Sequence, residues 1–136
     1  MQGCKMKLLM FHAKEFWYKP HAGLGDATES DKITDAIVAF IHVEESDKNR
    51  AEEIADKAVG NLRWLAKKNS TDTVVLHSFA HLSSSKADPE TAGGIIQKIG
   101  EKLKKDLTTS IVPFGQFYEF SIHVLGQSLA KVFKDL

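Results

Sequence analysis

The sequence predicts an α+β domain: a mixed β-sheet layered with about three helices. Three observations lead there. Ala36-Ile37-Val38-Ala39-Phe40-Ile41 and Val74-Val75-Leu76 are uninterrupted apolar runs, the pattern of strands covered on both faces. A stripe of apolar residues at helical spacing follows each run. Strand-like segments also lie next to each other in sequence at both ends of the chain, which favours a mixed sheet over a doubly wound parallel one.

Taken in order, Lys7 to Phe11 reads as a first strand, and Phe16-Trp17-Tyr18 as a β-prone cluster that continues it or pairs beside it. Lys19 to Asp26 reads as a loop, from one proline and two glycines, and Thr28 to Lys32 as its polar continuation. Ile33 to Glu44 is the second strand. Ser46 or Asp47 then caps a helix whose buried stripe is Ala51, Ile54, Ala55, Ala58, Val59, Leu62, Leu65 and Ala66. Asn69 to Asp72 ends it and leads into the strand at Val74. Asp88 caps the next helix, with Pro89 at its first position and Ala92, Ile95, Ile96, Ile99 and Leu103 as its stripe. The Gly93-Gly94 pair inside it suggests a close backbone approach. Thr108 to Pro113 and Phe117 to Val124 read as strands joined by a turn at Phe114-Gly115-Gln116. In the second of them Tyr118, Phe120, Ile122 and Val124 form the more apolar face. Gly126 to Leu136 reads as a closing helix, with Leu129, Val132, Phe133 and Leu136 on one side. The expected order is β-β-α-β-α-β-β-α.

A chain of 136 residues suits one domain, with residues 1–6 as an upstream or disordered extension. Eighteen basic residues balance eighteen acidic ones, so bulk charge does not recruit nucleic acid, and any RNA contact must use a local patch. The single cysteine, Cys4, excludes an intrachain disulfide and fits a reducing, cytoplasmic setting. No apolar run approaches the roughly 20 residues that cross a bilayer, so no membrane partner is expected.

The stretch Val74 to Ser85 is the chemical focus. A buried strand that runs out into Phe79-Ala80-His81-Leu82-Ser83-Ser84-Ser85 brings backbone N–H groups, hydroxyls and one imidazole to one rim. His77 and His81 stand four residues apart, but on strand and turn rather than helix and without a third ligand in sequence. A packed His77 and an exposed His81 is the simpler reading, and no metal is expected. Ser83-Ser84-Ser85 lacks a nucleophile elbow. A polar turn accounts for it, and hydroxyls that hold a small polar ligand are a further reading. Phe16-Trp17-Tyr18 can stack a base, but strand residues that fill a small core are the simpler reading. No dinucleotide or Walker pattern occurs.

Three segments carry a resemblance. Phe79-Ala80-His81-Leu82-Ser83-Ser84, Pro113-Phe114-Gly115 and Val38-Ala39-Phe40-Ile41-His42-Val43-Glu44 resemble the N-terminal editing domain of archaeal threonyl-tRNA synthetase, and the element order matches from about Lys7 to Leu136. The resemblance implies the fold of the D-aminoacyl-tRNA deacylases, which act as homodimers. It implies hydrolysis of serine wrongly esterified to threonine tRNA, in a pocket that holds the aminoacyl group and terminal adenosine with no metal or cofactor. By motif matching, Val43, Phe79, Ala80 and His81 line that pocket, facing Phe114, Gly115, Gln116 and Phe117, with Ser83 from the adjoining turn. His81 and Tyr118 are the candidate catalytic residues.

Such a second sieve has a physical reason. Serine and threonine differ by one methyl, worth about 1–3 kcal/mol in a pocket, too little for faithful charging. The chain departs from the family at three places. Tyr118 occupies a lysine position, Lys131 aligns with a glutamate, and the family's histidine-serine-aspartate after the first strand reads His12-Ala13-Lys14. An aminoacyl- or nucleoside-binding module without hydrolysis is therefore the alternative expectation, while D-aminoacyl-tRNA deacylation rests on fold analogy alone. The chain is expected to be either an excised domain or a free-standing relative, acting on the aminoacyl-tRNA 3′ end and in trans beside a synthetase.

Overall fold

The computed structural model describes residues 5–21, 30–114 and 117–136. Its elements are β1 (Lys7–Pro20), β2 (Ile33–His42), α1 (Ala51–Lys68), β3 (Thr73–Ser78), α2 (Pro89–Leu103), β4 (Thr108–Ile111), β5 (Tyr118–Val124) and β6 (Lys131–Asp135). They form one six-stranded mixed sheet in the order β4-β3-β2-β1-β5, with β6 also on β1. β2, β3 and β4 run parallel, while β1 is antiparallel to β2, β5 and β6. The α+β class with a mixed sheet is as expected.

β1 is a single 14-residue strand that continues through Phe16-Trp17-Tyr18 to Pro20. One edge pairs with β2. The other pairs with β6 along Lys7 to Phe11 and with β5 along Ala13 to Pro20, with a register shift at Lys14. An extra residue at such a shift bends and twists a strand.

Among the described residues the α-helices number two rather than three. Gly126 to Leu136 is not a helix. Ser128–Ala130 forms one 3-10 turn and Lys131–Asp135 is a strand. Leu129, Val132 and Leu136 have helical spacing, but the edge of β1 from Lys7 to Phe11 offers a backbone ladder that a helix would leave unpaired. Strand alternation then separates the neighbours: Val132 packs on the core and Phe133 is exposed.

Before α1, Glu45–Arg50 forms a 3-10 segment organised by a fully buried Asp47. The Asp47 carboxylate accepts from the backbone N–H groups of Glu44 (2.8 Å) and Met6 (3.3 Å) and from the Arg50 guanidinium (3.2 Å). Met6 belongs to the core, and its carbonyl accepts from Leu136 N–H at 2.9 Å, tying the two ends of the fold together. At α2, Asp88 caps as expected: Thr91 N–H donates to its carboxylate at 2.8 Å.

Both apolar stripes bury as read, on one face of the sheet, with Leu8, Met10, Ile37, Ala39, Ile41, Val74 and Leu76 beneath them. Alternation along the strands sends Val38, Phe40, Val75 and His77 to the other face. The close backbone approach lies at Gly100 rather than at Gly93-Gly94. A Cβ at Gly100 would stand 2.7 Å from Ile111 Cδ1, at Gly93 it would only touch the Phe114 ring at 3.8 Å, and at Gly94 it meets nothing within 4 Å.

Candidate active site

The face opposite the helices carries aromatic rings, and the sheet curls over them. Strands three places apart in a flat sheet lie about 14 Å from one another. Yet His77 on β3 sits 5.6 Å from the Phe120 ring and 6.1 Å from the Tyr118 ring, both on β5. Phe40 stands 5.2 Å from Phe120 and 5.4 Å from His77, measured between ring centres. β5 therefore folds back above β2 and β3 and forms one wall of an open cavity of about 410 Å³. That volume suits a small ligand.

Four sides bound the cavity. β3 and the turn after it supply His77 through His81, and the start of α2 supplies Ala87, Pro89 and Ala92. Val112, Pro113 and Phe114 come from the segment after β4, and Phe117, Tyr118 and Phe120 from β5 and the residue before it. The segments are pinned by backbone bonds that prolong the strands: Phe79 N–H to Ile41 (2.9 Å), Ala87 N–H to Val43 (2.8 Å) and Val112 N–H to Leu76 (2.9 Å).

The turn after β3 is also held by a buried polar cluster. His42, fully buried, accepts from Leu82 N–H at Nδ1 (3.2 Å) and donates from Nε2 to the Ser85 carbonyl (2.6 Å). The Ser85 hydroxyl donates to Glu44 at 2.8 Å. Glu44 is 1% exposed, and its other carboxylate oxygen lies 3.4 Å from His42 Nε2. The cluster anchors Ser85 to the end of β2, and Ser85 is not among the residues that line the cavity.

The residues singled out from sequence fall into three groups. His81, Tyr118, Phe79, Ala80, Phe114 and Phe117 all line the cavity. Val43 and Ser83 are not among its lining residues. Val43 follows the alternation of Ile41 into the helix-side core, and Ser83 accepts from Ser85 N–H within the turn. Gly115 and Gln116 lie outside the described residues. The aromatic triplet of β1 divides: Phe16 is core, and Tyr18 packs edge-on against Tyr118 at 5.3 Å.

Burial pushes the Tyr118 phenol above its ordinary value of 10.0, helped by neighbouring Tyr18, so it is a neutral hydrogen-bond donor at physiological pH. Burial pushes His77 below its ordinary value of 6.5, against the opposing pull of its bond to the Ser78 carbonyl, so it is a neutral imidazole. Exposed His81 stacks edge-on against Phe79 at 5.2 Å. Lys86 sits on the cavity rim and is the only lysine or arginine among the described lining residues. Sequence reading did not single it out, since one lysine in a polar turn has no distinguishing pattern. Of the other departures, exposed Lys131 bonds to the Leu125 carbonyl and does not line the cavity. His12 is buried and bonded to Asp35 at 2.7 Å. Among the described residues no group of three or more His, Cys, Asp or Glu side chains could hold a metal, and no helix is long and apolar enough to cross a membrane.

Comparison with known proteins agrees over nearly the whole chain. Residues 6–136 match a family described as the archaea-specific editing domain of threonyl-tRNA synthetase. Similar relatives include the threonine–tRNA ligases of Staphylothermus marinus (32% identity), Thermococcus gammatolerans (30%) and Pyrococcus horikoshii (30%), each aligned over 96% of this chain. The chain spans 22% of the length of these relatives. With 131 of its 136 residues inside the family match, this chain belongs to the archaea-specific editing domain family of threonyl-tRNA synthetase.

Proposed function

We propose that this domain hydrolyses the ester of a mischarged aminoacyl-tRNA, with seryl-tRNA(Thr) as substrate, as a proofreading step in translation. The observation that supports the reading is the cavity shared by the two motif segments, which His81, Phe114, Phe117 and Tyr118 all line. The aminoacyl group enters the aromatic box, the terminal adenosine stacks near the exposed Phe117, and Lys86 meets backbone phosphate at the rim.

In the reaction a water oxygen bonds to the ester carbonyl carbon, the bond to the ribose 3′-oxygen breaks, and a proton passes to that oxygen. The products are free serine and tRNA. An aminoacyl ester is activated to begin with, so holding water and carbonyl in line supplies much of the rate. Tyr118 donates to the developing oxyanion in place of the family's lysine, with less charge stabilisation. His81 positions the water or the ribose hydroxyl. Two copies of the domain pair, and the pair acts in trans beside a threonyl-tRNA synthetase in the cytoplasm.

The test is deacylation of Ser-tRNA(Thr) by the protein and by a His81→Ala, Tyr118→Phe double variant, with sedimentation to read the oligomeric state. The proposal requires the protein to be at least ten-fold faster, a modest demand for positioned donors. Equal rates would count against the proposal, and binding of a seryl-adenosine mimic without any hydrolysis would favour the non-catalytic binding module instead.

A further inference from the structure

His77 lines the cavity and carries a buried hydrogen-bond acceptor that no described residue serves. His77 is 8% exposed. Its Nδ1–H donates to the Ser78 carbonyl at 2.7 Å, which fixes the tautomer and leaves Nε2 as a bare lone pair. Nε2 is buried and has no hydrogen-bond partner among the described residues. The rings of Phe40, Tyr118 and Phe120 surround the imidazole. Buried polar groups in folded proteins are nearly always bonded, and an orphan in the wall of a ligand cavity points to a donor that arrives with the ligand.

We propose that His77 is a specificity residue of this cavity, its Nε2 accepting a hydrogen bond from a hydroxyl on the side chain of the bound aminoacyl group. This rests on the hydrolase reading above and adds a recognition element to it. The partner must be a donor, because Nε2 carries no proton. A neutral hydroxyl suits the position better than an ammonium, since the desolvation that keeps the imidazole uncharged acts on any cation placed there. An alkyl side chain of similar size would fill the aromatic box but leave Nε2 unpaired. Rejection of a ligand that leaves a buried acceptor unpaired discriminates better than the loss of a methyl contact.

The test compares non-hydrolysable seryl- and alanyl-amido adenosine, which differ by one oxygen, binding to the full chain and to His77→Phe. The seryl compound should bind about ten-fold tighter to the unaltered protein, the difference of roughly one buried hydrogen bond. In His77→Phe the preference should vanish while alanyl affinity holds. Because that variant disturbs the core, nitrogen NMR of the unaltered protein gives an independent reading. The Nε2 resonance should begin as an unprotonated ring nitrogen and move upfield with the seryl compound but not the alanyl one. Equal affinities in the unaltered protein, a preference that survives in His77→Phe, or an Nε2 resonance indifferent to the hydroxyl would each overturn the proposal. Hydrolysis of Ser-tRNA(Thr), measured in parallel, separates the two readings. The predicted preference with an intact ester removes the hydrolase reading alone, and hydrolysis without the preference removes the role of His77 alone. Failure of both compounds to bind removes both.

Discussion

The Ser85 hydroxyl donates to the Glu44 carboxylate at 2.8 Å, so the end of β2 holds a turn 41 residues further along the chain. His42 reinforces the link by accepting from Leu82 N–H and donating to the Ser85 carbonyl. The turn that carries His81 is thus tied to the sheet at three points.

His42→Ala should therefore cost about 2–4 kcal/mol, from an emptied buried site and two backbone groups left unpaired. Ser85→Ala, which removes one bond, should cost about 1 kcal/mol. Urea denaturation at neutral pH measures both. Equal, negligible losses would mean that the cluster does not hold the turn.

Stability should fall on acidification, in part through His77. Its folded-state pKa lies below its ordinary value of 6.5, so the unfolded chain takes up the proton first. The contribution is complete above pH 6.5 and declines as the pH drops toward the lowered folded-state value. His77→Phe should show a flatter profile across that window. Denaturation midpoints at a series of pH values between 7.5 and 5 check the sign.

Two glycines of α2 should respond in opposite directions. Gly94→Ala meets nothing within 4 Å and gains helix propensity, so stability should rise by about 0.5–1 kcal/mol. Gly100→Leu drives into Ile111 and Leu76 and should cost about 1–3 kcal/mol. Thermal unfolding of the two variants decides.

Lys86→Gln should raise KM for aminoacyl-tRNA several-fold and leave kcat little changed, because a rim charge attracts phosphate without touching the ester. The dependence of KM on salt should weaken in the variant, since one fewer counterion is displaced from the nucleic acid. An unchanged salt dependence would remove Lys86 from the RNA path.

Local pattern was enough for much of this protein. The runs at Ala36–Ile41 and Val74–Leu76, both helical stripes and the Asp88-Pro89 start were determined by the sequence alone, because each follows from the period of its own backbone and the need to bury one face. The motif segments at Phe79–Ser84 and Pro113–Gly115 were equally visible, since they are contiguous. The tertiary structure decided what depends on distant partners. Leu129, Val132 and Leu136 fit a helix by spacing, but an unpaired edge of β1 made them strand and turn. Glu44, His42 and Ser85 are unremarkable one at a time and form a cluster only where β2 ends beside the turn. His77 reads as packed core, and it came to line the cavity only because the sheet curls until β5 overhangs β3, beside a register shift at Lys14 of the kind that bends and twists a strand.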